Sequence, residues 1–180
     1  MCGAVVYLDA NDSHLHYMLY SRMTGCGAEL VPLCSLPCSI RFGVWCLRVA
    51  RLSAQGRELA RQRLHEVHAL LQRASAASAL ERCVGLLLED ARAPLDIREF
   101  GLGSIYPSQM ELDLLAAFGA LQAGETAIAR GMLANLTTAR LAAVVETATA
   151  WATDVREAGV NLEWCAGEWP RRAAPVRKRR

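Results

Sequence analysis

Leu141, Val144, Val145, Ala148, Trp151, Ala152 and Val155 recur at the 3.6-residue spacing of one helix face. That stripe constrains the fold more than any other feature of the chain, because a helix with so wide an apolar face must bury it against other helices. Similar spacing recurs upstream. Leu80, Cys83, Val84, Leu87 and Leu88 fall at i, i+3, i+4, i+7 and i+8, and Pro94 closes that segment, read as a helix over about 77–91. Ser53 is placed to cap an earlier helix over about 54–73, with Leu59, Val67, Leu70 and Leu71 inside and a hinge at 75–78.

Ser108-Gln-Met-Glu111 is a capping box, in which a hydroxyl satisfies one free amide and a carboxylate reaches back to another. The helix it opens carries Leu112, Leu115 and Leu121 and stops near Gly124. Glu125 begins the next, with Ile128, Met132, Leu133 and Leu136 on one side, and Thr137 or Thr138 caps the last, which runs to about Glu157. Connections of two or three residues make these last three helices alternate in direction. Residues 95–107 read as an ordered connection whose apolar side chains, Ile105 among them, cover the bundle. The expected fold is therefore all-α: a compact bundle of about five helices over 53–159, an irregular segment over 1–50, and a Trp-containing, Arg-rich tail over 160–180.

Residues 1–50 follow neither helical nor strand period. Ile40–Val49 reads equally as a strand or as a helix with Trp45 inside, and Pro32 and Pro37 break the middle. Two expectations follow: a loosely packed appendage, or an extension ahead of a helical domain that is complete from about Arg48. At 180 residues the chain is long enough to bury a core without disulfides or metal. No apolar run approaches the ~18 residues of a membrane span. Seven cysteines, with no basic start to a signal peptide, point to reduced thiols and a cytoplasmic setting.

Net charge is +2, but it is unevenly distributed. Residues 76–170 hold six arginines against thirteen acids, whereas the last ten hold Arg171, Arg172, Arg177, Lys178, Arg179 and Arg180 and no acid. Such a tail suits non-specific contact with nucleic acid or another anionic surface. These six residues are the candidate partner-binding site.

Candidate chemistry is sparse. Met1-Cys2-Gly3 resembles the opening of class II glutamine amidotransferases, which would make Cys2 an N-terminal nucleophile, but the resemblance covers three residues of a β-rich fold. His14, His16, Cys26, Cys34, Cys38 and Cys46 include one zinc-compatible spacing, Cys34-x3-Cys38, and no second tight pair. His65 and His68 are three apart, not the four of a zinc-protease helix, and read as two partly exposed histidines. Glu111 and Asp113 read as acids serving helix ends. Leu115–Leu136 resembles a single tetratricopeptide unit through Ala117, Gly124, Ala129 and Leu133, which implies an antiparallel helix pair and no solenoid. The sequence thus leads to a helical interaction module with a protein partner or itself, without catalytic residue, metal or cofactor. The alternative is a thiol- or metal-dependent protein using the N-terminal Cys and His residues.

Overall fold

A computed structural model describes residues 32–89 and 104–162, all within one unit, Val31–Glu163. The described residues form a single 3-10 turn, Leu33–Ser35, and six α-helices without a strand. The helices are α1 (Cys38–Ala54), α2 (Glu58–Leu70), α3 (Ala74–Glu89), α4 (Gln109–Gln122), α5 (Thr126–Ala134) and α6 (Leu141–Glu157). The all-α expectation holds, with one helix more than expected. None of these helices is long and apolar enough to cross a membrane.

The largest departure from expectation is α1. The segment expected to be irregular through Ala50 is, from Cys38 onward, an inner helix of the bundle. It buries Ile40, Gly43 and Val44 and then Cys46 through Ala50 in unbroken succession. Ile40, Val44 and Leu47 do fall at helical spacing, but Phe42, Trp45 and Val49 among them suit a strand equally well, so the sequence left both readings open. Pro37, in an extended conformation, supplies the N-cap and explains why the helix begins where it does. Gly43 sits where α1 meets α4: a Cβ there would lie 2.5 Å from Leu115 Cδ2 and 3.4 Å from Leu162 Cδ2.

Ser53 caps nothing; it lies in the last turn of α1. The break comes instead at Gly56, whose φ of +80° lets Arg57 N–H return to the Leu52 carbonyl at 3.0 Å. Gln72 makes the same turn after α2 with φ 58°, and Arg73 N–H reaches His68 O at 2.9 Å. The expected hinge at 75–78 therefore lies inside α3, where Ala76 and Ala77 are fully buried. The interior of α2 also differs: Leu59 and Leu70 are exposed, and the buried pair is Leu64 and His68.

Downstream the sequence was a better guide. Leu80, Cys83, Val84 and Leu87 are buried on α3, and Val144, Ala148, Trp151, Ala152 and Val155 on α6. The Ser108 capping box forms with both of its bonds. Helix α6 starts at Leu141, later than the expected cap at Thr137 or Thr138, and Ile105 is exposed where it was expected to cover the bundle. The bundle also runs past Gly159. Gln122 Nε2 donates to the carbonyls of Ala152 and Val160 at 3.0 and 3.1 Å, while its Oε1 accepts from Leu162 N–H at 2.7 Å. That side chain fastens residues 160–162 to the end of α4. The remaining residues of the expected segments, 1–31 and 163–180, lie outside the described residues, as do 90–103.

Two outcomes follow from this packing. A chain beginning at Arg48 lacks Ile40, Val44 and Leu47, each worth roughly 2–5 kcal/mol when truncated in a core, and is expected to lose its cooperative thermal transition by circular dichroism. Gly43→Ala presses a methyl group into Leu115, an overpacking cost of about 1–3 kcal/mol that at least cancels the roughly 1 kcal/mol gained by replacing a mid-helix glycine; the urea midpoint should not rise, and a higher midpoint would contradict the close approach.

Candidate functional site

Arg48 is the most enclosed charge among the described residues, at 3 % exposure, and it stands in the middle of the apolar run of α1. A guanidinium cannot be neutralised by losing its proton, so in a dry site it must be met by acceptors. It is. Nε donates to Glu111 Oε1 at 2.7 Å and Nη2 to Glu111 Oε2 at 3.1 Å, a two-pronged pair. Nη1 and Nη2 also donate to the carbonyls of Ser104 and Tyr106, each at 2.7 Å. Glu111 Oε2 simultaneously accepts Ser108 N–H at 2.7 Å. One carboxylate thus caps α4 and anchors α1, and the expectation that Glu111 is an exposed helix-end acid is corrected: it is 7 % exposed. Nearby, burial pushes the Arg51 guanidinium below its ordinary value; Glu111 works against that shift and the Arg48 charge adds to it.

A second assembly centres on Glu81 of α3. Its Oε1 accepts from Ser53 Oγ of α1 at 2.5 Å, its Oε2 lies 3.1 Å from His65 Nε2 of α2, and Arg61 Nε stands 3.8 Å away. The residue types are those of a hydrolase triad, but the order is wrong. A serine nucleophile needs the imidazole between hydroxyl and carboxylate, whereas here the carboxylate lies between the other two. The arrangement ties three helices together and gives His65 no path to the Ser53 proton.

The third assembly was the least legible. His68, read from sequence as partly exposed, has 0 % exposure. Its Nδ1 lies 2.8 Å from the Leu64 carbonyl, and Trp151 Nε1 donates to its Nε2 at 3.0 Å. Trp151 is fully buried with its ring 5.0 Å from Phe118, edge to face. The intervening helix turns gave no signal, because a buried histidine at i+3 from an exposed one looks like any amphipathic pair.

Of the sequence-derived candidates, Arg171, Arg172, Arg177, Lys178, Arg179 and Arg180 lie outside the described residues, as do Cys2, His14, His16 and Cys26. Cys34 and Cys38 are exposed, and Arg41 Nη2 donates to Cys38 Sγ at 2.8 Å. Cys46 and Cys83 are buried; burial raises both thiols, Cys83 to about 12 with a smaller opposing effect from Thr147. The structure therefore separates Cys46 from the exposed pair. Among the described residues no three His, Cys, Asp or Glu side chains gather where they could hold a metal ion.

The Arg48–Glu111 pair makes a quantitative prediction. Glu111→Ala leaves a buried guanidinium short of its main partner and should cost about 3–5 kcal/mol in urea unfolding. Arg48→Met combined with Glu111→Leu should cost clearly less than the two single changes added together; strict additivity would show that the pair is not coupled.

No protein-family model matches this chain, and no curated protein and no solved structure is found to be similar to it.

Proposed function

We propose that the chain is a non-enzymatic helical interaction module that binds a protein partner, with Arg171, Arg172, Arg177, Lys178, Arg179 and Arg180 available for nucleic-acid contact. The observation that supports it most is the outer side of α2. Leu59 is 67 % exposed and Leu70 83 % exposed, and eleven residues, close to three helical turns, place them on the same side. Helix-in-groove recognition reads such in-line apolar residues. The polar side chains in the interior support the same reading, since Arg48, Glu111, His68 and Gln122 are spent on bonds between elements of the bundle.

The alternative, thiol chemistry in the N-terminal cysteine group, draws support from the exposed Cys38 with the Arg41 guanidinium on its sulfur. Alkylation followed by peptide mapping, together with metal analysis, separates the two. One hyper-reactive thiol or a stoichiometric metal would favour the alternative.

The main test is affinity capture with three baits: the intact chain, a Leu59→Lys/Leu70→Lys variant, and a chain lacking residues 171–180. The double variant is expected to lose the protein partner, and the shortened chain to lose nucleic acid while keeping the protein. Capture of the same proteins by the double variant would refute the α2 surface. Sedimentation velocity of the intact chain over a concentration series reports self-association.

A further inference from the structure

Helix α2 is held to the bundle by less than its neighbours are. Its buried side chains are Leu64 and His68, as few as the Ala129 and Leu133 of the shorter α5, whereas α1, α3, α4 and α6 each bury five or more. At both ends the chain reverses through a left-handed residue, Gly56 before it and Gln72 after it. It is therefore a discrete segment between two tight turns, held by Leu64, by the His68 imidazole and by the contacts of His65 and Arg61 with Glu81.

The two ring bonds of His68 fix its protonation state. The Leu64 carbonyl can only accept, so Nδ1 carries the hydrogen; indole Nε1 can only donate, so Nε2 presents its lone pair. A proton added at Nε2 would face the Trp151 N–H head on, in a site without solvent. Two donors cannot bond one another, so the new N–H would be left without an acceptor in the interior.

We propose that His68 is an acid-operated latch: protonation breaks its bond to Trp151 and releases α2, uncovering the apolar surface beneath, while the other helices stay packed. The surface so uncovered includes Trp151 and the ring of Phe42 on α1, which lies 6.3 Å from the imidazole. This goes beyond partner binding through the outer side of α2 and does not depend on it.

The charged surroundings support the direction. Burial is the largest influence and lowers the imidazole below its ordinary value; the Leu64 carbonyl opposes this, His65 on α2 adds to it, and Asp154 on α6 opposes it. Asp154 also accepts from Ser75 Oγ of α3 at 2.9 Å, and Glu81 of α3 is engaged by His65. The contact of His65 with Glu81 holds α2 to α3 and pulls the other way. That pair is partly exposed, however, and screened ion pairs contribute little compared with a buried N–H left without an acceptor. The sign follows from linkage. A histidine lowered in the closed state favours closure fully above about pH 6.5, and the open form gains up to about tenfold per pH unit below it until the closed-state value is reached.

Hydrogen exchange of the full chain, read by mass spectrometry at pH 7.5 and 5.5 and corrected for intrinsic rates, tests this. Peptides from 58–70 are expected to lose protection, by up to about tenfold, relative to those from 109–122 and 141–157. His68→Gln keeps an acceptor for Trp151 but does not titrate, and should flatten the response. Equal loss across all six helices, or an unchanged response in His68→Gln, would overturn the proposal. Should that variant not fold, the wild-type imidazole resonances of His68 decide: their titration midpoint must coincide with the opening of α2, and a mismatch refutes it.

Discussion

A charge that cannot be discharged, sealed inside a helical bundle, dictates much of this architecture. Arg48 has to be supplied with acceptors from elsewhere in the chain, and those acceptors come from Glu111 and from the carbonyls of Ser104 and Tyr106. The start of α4 and the stretch before it are thereby fixed against α1, and α4 in turn carries Gln122, which fixes the residues after α6. Replacing such a pair by apolar side chains is often neutral for stability elsewhere. Its contribution here is geometric: it selects one seating of α1 from the several that a featureless apolar helix would accept.

The parts of the fold that were legible in sequence share a physical property. Helices with one face in water, α3 and α6, write their burial as a period, so the stripe through Trp151 named its own interior. The Ser108 box was legible because capping is local chemistry, complete within four residues. Helix α1 was not, since its β-branched and aromatic residues Ile40, Phe42, Val44, Trp45 and Val49 suit a strand equally well. Helix α2 misled for a different reason: its leucines at 59 and 70 face outward, and a histidine takes the interior place that periodicity assigned to them.

The polar groups within the bundle were invisible for a further reason. Arg48 with Glu111 and His68 with Trp151 are pairings across 63 and 83 residues of chain, and nothing in the neighbourhood of either partner announces the other. Glu111 shows how a correct local reading can still be incomplete, because the same carboxylate that closes the capping box also accepts the guanidinium. The candidate tail and the N-terminal cysteines, by contrast, are statements about composition alone.

Those long sequence separations also bear on how the chain reaches its native state. Helical proteins ordinarily fold fast because their contacts are short-range. Here the two interior bonds close loops of 63 and 83 residues, and closing them costs entropy before any bond forms. Packing of α3 against α6 closes loops of similar length, and until the partners meet the guanidinium and the imidazole keep company with water. Drying of the interior is consequently tied to the meeting of distant partners, in a chain whose helices individually form within microseconds.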